Sequence, residues 1–249
     1  MCNIYIIRHG GTGDEKSING TSNPPLTDDG INKVLSETVP KISGVGRIIS
    51  SPSDRALQTA QILAEDERIP SAFLIKSDDD AGTWNRGIEF TGHHYDKNLE
   101  DKLSQLVLRP NEIPTAGESL QMFLDRFLPF MRGQMGIYER DDTATPVAII
   151  THSPGLRAVV GWCAAGFPDE NYIDPNAFID QEWSAGSILE LALNGRIWKL
   201  SSPTKRIGSK VKHDGSQGII SSINFDGSYD LMFESGTVYH GVRDAVSCY

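Results

Sequence analysis

Four short apolar runs, NIYIIR, RIISS, SAFLIK and PVAIIT, alternate in the first 200 residues with stretches whose apolar residues recur at helical spacing. A strand that is followed by a helix returns by a crossover, which lays successive strands parallel and places helices on both faces of the sheet. The alternation therefore predicts an α/β fold, a three-layer α/β/α sandwich around a mostly parallel sheet. The helical stretches carry their own signals. TDDGINKVLSETV opens on Thr27 as an N-cap with two acids in its first turn. SDRALQTAQILAEDE places Ala56, Ala60 and Leu63 on one stripe, and GESLQMFLDRFLPFMRGQM does so with Leu120, Phe123, Leu124 and Phe127, with Pro129 as a kink point. SPGLRAVVGWCAAG follows PVAIIT as a helix, and SILELAL with RIWKL reads as a hairpin turning at Asn194-Gly195. Residues 78–116 have weak periodicity and read as an excursion over the sheet edge.

After Leu200 the texture changes. SSPTKRIGSK is polar, and four short alternating runs follow, punctuated by Asp214-Gly215, Asp226-Gly227 and Ser235-Gly236. Residues 201–249 hold 5 of the chain's 23 Lys+Arg and 5 of its 33 Asp+Glu, so the acidic excess lies wholly before that point. The division this predicts is a domain at 1–200, a linker at 201–208 and a small all-β module at 209–249.

Composition narrows the function classes. A net charge of −10 argues against nucleic acid as a partner. Apolar runs are far shorter than the roughly 20 residues a membrane helix needs, and no basic-then-apolar leader pattern stands at the N-terminus. Cys2, Cys163 and Cys248 are odd in number and lack metal-ligand spacing, as in a reducing compartment. The expectation is a cytoplasmic protein without a membrane or metal partner.

Two of the predicted strands end alike. NIYIIR delivers Arg8 and His9 into a glycine-rich loop, and PVAIIT delivers Thr151 and His152 into a helix. Ligands of parallel sheets sit beyond the carboxyl ends of the strands. The helix after RIISS carries Arg55 in its first turn. Two imidazoles, two guanidiniums and helix N-termini at one edge make an anion site, with phosphate the fitting anion. The glycines after His9 are expected to let the backbone approach that ligand.

Five motifs in order, RHGGT, NPPLTDDG, SSPSDRALQTA, TAGESLQMFLDRF and THSPGLRAVV, resemble those of the histidine phosphatase superfamily, in its phosphoglycerate-mutase-like branch. The resemblance covers about residues 3–200. It implies that His9 is the nucleophile, forming a phosphohistidine, and that Arg8, Arg55 and His152 grip the phosphoryl oxygens. It implies a proton donor four residues before Gly-x-Trp. In SDDDAGTW that is Asp78, with Asp79 and Asp80 as competitors and Glu118, at the pocket rim, as the other candidate acid. It implies a small phosphorylated metabolite as substrate and no cofactor. Trp84, Arg86 and Tyr95 are candidates for the substrate pocket, and GHHYD, with His93, His94 and Asp96, reads as a lid rather than a metal site. The chain departs from the family's pattern at Gly11, Glu15 and Asn23 and in GTWNRG. The resemblance implies first a phosphatase. A phosphoglycerate-mutase-type transferase and a non-catalytic sensor of phosphorylated ligands are the rival readings. GSQGIISSINFDGSYDLMFESGTVYHGV in turn resembles SH3-like or Tudor-like barrels, which implies a protein partner or dimer contact through residues 209–249, with Phe225, Tyr229, Phe233 and Tyr239 as candidate contacts.

Overall fold

A computed structural model describes residues 4–13, 17–20, 22–67, 69, 75–94, 96–141, 143–179, 183–194 and 197–201, and the backbone of strands at 210–213, 216–223, 229–233, 238–242 and 247–248. Six strands form one sheet: β1 (Ile4–Arg8), β2 (Arg47–Ser50), β3 (Ile75–Ser77), β4 (Val147–Thr151), β5 (Ile188–Asn194) and β6 (Ile197–Ser201), in the order β3-β2-β4-β1-β5-β6. The first four are parallel, and β5 and β6 add an antiparallel edge. The hairpin pairing holds, with Asn194 of β5 opposite Ile197 of β6, while Gly195 lies outside the described residues. SAFLIK is described only from Ile75.

Side chains of successive strand residues enter opposite cores, which is why the strands are apolar throughout rather than alternating. Ile4 and Ile6, with Val147 and Ile149, pack among α3 (Lys97–Leu108), α4 (Leu120–Arg140) and α5 (Ser153–Ala164). Tyr5 and Ile7, with Ala148 and Ile150, pack with Val34, Val39 and Ile42 of the turns that follow α1 (Asp28–Lys33) and with α2 (Asp54–Glu65). A short α6 (Pro175–Ile179) joins the first of these layers. Among the described residues no helix is long and apolar enough to cross a membrane.

Thr27 caps α1 as the sequence predicts, and the structure adds a second cap at Ser119. Thr27 Oγ1 accepts from the Gly30 amide at 3.1 Å, and Ser119 caps α4 by accepting from Met122. The excursion at 78–116 is more ordered than its periodicity suggests. It holds α3, capped by Asp96 and buried on Leu99, Leu103, Leu106 and Val107. Those four do recur at helical spacing, but the intervening charged residues dilute the signal. Helix α4 runs on through Pro129 to Arg140.

Beyond residue 209, five antiparallel strands form a separate sheet, β7 (Lys210–His213), β8 (Ser216–Ile223), β9 (Tyr229–Phe233), β10 (Val238–Val242) and β11 (Ser247–Cys248), in the order β10-β9-β8-β7-β11. Tyr229, Phe233 and Tyr239 lie on β9 and β10, whereas Phe225 and linker residues 202–208 lie outside the described residues.

Candidate active site

Register brings the two histidines together. Arg8 of β1 sits opposite Thr151 of β4, so the next residues, His9 and His152, leave the sheet side by side. The His9 amide donates to the Thr151 carbonyl at 3.0 Å, and the rings lie 5.0 Å apart, edge to face. On the other side of β4, Ser50 of β2 pairs with Ile150, and the chain passes through Ser51 into α2, whose first turn holds Arg55. His9, His152 and Arg55 are 4%, 3% and 2% exposed.

The motif residues around them turn out to be braces. Arg55 donates through Nη1 to Ser22 O (2.8 Å) and through Nη2 to Gly20 O (3.2 Å), so the loop just before NPPLT holds its guanidinium. Gln58 Oε1 accepts from the Leu26 amide, and Asn23 Oδ1 from the Asp54 amide. Thr59 Oγ1 accepts from the Gly10 amide at 2.9 Å and donates to Arg55 O. Packing by itself demands glycine at Gly10 and at its neighbour Gly30. A Cβ on Gly10 would lie 2.7 Å from Val34, and one on Gly30 would lie 2.1 Å from the Gly11 carbonyl.

Hydrogen bonding sets the imidazole tautomers, because arginine can only donate. Arg55 Nε reaches His9 Nε2 at 3.2 Å, so Nε2 carries the lone pair, and Nδ1–H donates to the carbonyl of Gly10 at 2.7 Å. Arg55 Nη2 reaches His152 Nδ1 at 3.4 Å, leaving Nε2–H to donate to Ser51 Oγ at 2.8 Å. Both rings are therefore neutral. Burial is the first cause: it holds the His9 pKa well below the ordinary value, and the charges of Arg8 and Arg55 push it further down. Burial likewise leads for His152, followed by His9, Arg55 and Arg8. Burial and then Arg8 pull Arg55 down to about 10, which still leaves it cationic at neutral pH.

The cluster opens into a cavity of about 650 Å³ lined by Arg8, His9, Arg55 and His152 together with Asn19, Thr83, Trp84, Arg86, Arg157 and Trp183, among others. Trp84 and Arg86 are thus where the sequence expected them, and Tyr95 lies outside the described residues. Arg8 donates to the carbonyl of Trp183. The 93–94 segment pairs with the Ser17–Ile18 stretch that lines the same cavity.

The two candidate acids stand apart from this lining. Asp78 extends β3 beside β2, its amide bonded to Ser50 O, while its carboxylate caps the turn at Asp80 and pairs with Lys76 at 2.9 Å. Glu118 pairs with Arg126 at 2.9 Å and accepts from the Asn85 amide. Arg126 also donates to the carbonyls of Asp79, Asp80, Gly82 and Thr83, so this pair clamps the loop that presents Thr83, Trp84 and Arg86. Sequence reasoning missed Ser51, Thr59, Arg126, Arg157 and Trp183. Of these, Ser51, Thr59, Arg126 and Arg157 stood inside quoted motifs, and Trp183 announces itself only through its spatial neighbours.

Solved structures share this fold. A mycobacterial glucosyl-3-phosphoglycerate phosphatase complexed with VO3 is 19% identical, with a TM-score of 0.61, and the match covers 81% of this chain and 98% of that one. A putative alpha-ribazole-5'-P phosphatase from Escherichia coli is 20% identical with a TM-score of 0.58, covering 80% and 94%. A phosphoserine phosphatase mutant from Entamoeba histolytica, in complex with phosphoserine, is 18% identical with a TM-score of 0.62, covering 81% and 96%. No curated protein matches the sequence. The model of one family fits from residue 4 to residue 199, from the first strand into the sixth and across every member of the imidazole–guanidinium cluster, and the chain accordingly belongs to branch 1 of the histidine phosphatase superfamily.

Proposed function

We propose that this protein is a phosphatase that hydrolyses small phosphomonoesters in two steps through a phosphohistidine at His9, with arginines rather than a metal supplying the positive charge. The observation that carries the reading is the buried, neutral His9 whose Nε2 lone pair faces Arg55 and His152. Arg55 Nε now donates to that lone pair. A phosphoryl oxygen is a far better acceptor than an imidazole nitrogen, so an arriving substrate takes the N–H and frees the nucleophile. His9 Nε2 then attacks phosphorus in line, the P–O bond to the alcohol breaks, and the Nδ1–H···O=C bond to Gly10 steadies the ring as it gains charge. Arg8, Arg55 and His152 hold the equatorial oxygens, and phosphoryl transfer requires chiefly such positioning and charge stabilisation.

The alcohol must leave with a proton, and Asp78 is the proposed donor. It stands at the same carboxyl edge, at the end of β3, and its Lys76 partner is 69% exposed, so the pair holding it away is a weak surface one. Glu118 is tied into the loop clamp by Arg126. In the second step water attacks phosphohistidine, gives its proton to the donor carboxylate, and orthophosphate leaves.

Trapping tests the reading. Acid-labile phosphate should appear on the wild-type protein during turnover of para-nitrophenyl phosphate and vanish in His9→Ala. Turnover that survives this substitution refutes it. We also propose that residues 209–249 close as a small barrel of the SH3 type that serves as a contact for a partner or a second copy. The order of the strands, with β11 returning beside β7, supports this. Removing residues 205–249 should then change the association state measured by light scattering; an unchanged state argues against the contact.

A further inference from the structure

A second chamber, of about 280 Å³, adjoins the catalytic cavity, and Trp84, Arg86 and Arg157 line both. Resting on the phosphatase reading, we infer that this chamber takes the alcohol half of the substrate, and that this half is a single hydroxyl-bearing ring, as in a sugar phosphate.

Size is the first argument. At about 30 Å³ per water in the liquid, the chamber displaces roughly nine waters, which is room for one substituted ring and not for a polymer or a folded chain. The second argument is shape. Leu103 and Val107 come from α3, and Phe178 and Ile179 from α6, so apolar side chains from two packed helices bound the space. Such walls suit the C–H face of a ring.

The third argument is the polar rim, which excludes the other occupants. Asp96 spends Oδ1 on the Leu99 amide, and Glu100 Oε2 stands 3.8 Å from Lys97, so each carboxylate keeps a second oxygen as acceptor. Arg157 donates to Ile179 O, and its buried Nε has no partner among the described residues. Arg86 lies with its guanidinium 5.5 Å from the Trp84 ring centre, between the two spaces. A wholly apolar occupant would strip water from these charged groups without replacing its hydrogen bonds. A second phosphate would meet Asp96 and Glu100, and the one lysine of the rim, Lys97, is already engaged by Glu100 at 3.8 Å and Asp101 at 3.1 Å. Hydroxyls both donate and accept, and so answer carboxylates and guanidiniums alike. With the phosphoryl group at His9 and Arg55, the ring reaches the chamber past the shared wall of Trp84, Arg86 and Arg157.

The test is equilibrium binding to the His9→Ala protein, which removes turnover, using orthophosphate, methyl phosphate, glucose 6-phosphate and ribose 5-phosphate in calorimetry. At least one sugar phosphate should bind tenfold or more tightly than methyl phosphate. Ser104→Trp, at a half-buried position of α3 that lines the chamber, fills it and should erase that preference while methyl phosphate binds as before. Glu100→Gln, at an exposed position that poses no folding risk, should reduce it at least threefold. Equal affinities for methyl and sugar phosphates, or a preference that survives both substitutions, overturns the chamber assignment alone. Failure of orthophosphate to bind overturns the anion-site reading on which it rests.

Discussion

Replacing Arg55 with lysine keeps the positive charge and removes the fork, so it isolates geometry from electrostatics. In the structure Arg55 donates to four acceptors at once: Nε to His9, Nη1 to Ser22 O, and Nη2 to both Gly20 O and His152. A lysine ammonium is one point on a flexible stem and cannot serve all four. Two carbonyls lose their partner at about 1–3 kcal/mol each, which loosens the loop at Gly20–Ser22. The heavier loss is catalytic, because one aligned donor to the developing oxyanion is worth about 2.7–4 kcal/mol. Each 1.36 kcal/mol is a factor of ten, so kcat should fall about 10²–10³-fold, with a much smaller change in KM because the charge remains. Steady-state kinetics with para-nitrophenyl phosphate, joined to quench-flow measurement of phosphohistidine formation, reads both quantities. If Arg55→Lys stays within about twofold of wild type, the size of an ordinary surface change, then the guanidinium fork is not what stabilises the transition state and the proposed mechanism is wrong.

Gly30→Ala should cost roughly 3 kcal/mol, because its Cβ would lie 2.1 Å from a backbone carbonyl that cannot step aside, and thermal melting should drop by about 6–12 °C. The pH dependence of stability follows from the two buried imidazoles. Both have folded pKa values below their unfolded ones, so the unfolded chain takes up protons first as pH falls below about 6.5. Stability should be complete above that value and decline below it, by up to about 2.7 kcal/mol per pH unit for the pair, as read by urea titrations at several pH values; His9→Ala should make the slope shallower. Arg126→Gln should release the loop at 79–83 from α4 and lower kcat/KM at least about tenfold, roughly the loss of one well-placed charged hydrogen bond, without touching His9 directly. The same change at exposed Arg140, tested in parallel, should leave kcat/KM unaltered.

Much of the architecture could be read from the chain because it depends on local periodicity. Continuous apolar runs such as Ile4–Ile7 announce strands buried on both faces, and Thr27 announces a helix start through its own side chain. Helix α3 was obscured because its four buried residues are separated by charged ones. The antiparallel edge of the sheet was only half visible: a hairpin can be recognised from its turn, but the side on which it joins the sheet depends on long-range pairing of β5 with β1.

The candidate site divides along the same line. His9, Arg8, Arg55 and His152 were legible because each sits where an element begins or ends, and an order of such termini is written in one dimension. What became of Asp78 and Glu118 was not, since a carboxylate's role depends on which cation lies nearest, here Lys76 and Arg126. The chain alone determined the parallel core and the residues delivered to its carboxyl edge. Only the tertiary structure decided the protonation state of the imidazoles, the clamp of Arg126 on the loop and the second chamber behind Arg157, because burial, hydrogen-bond partners and empty space are properties of residues far apart in sequence and near in space.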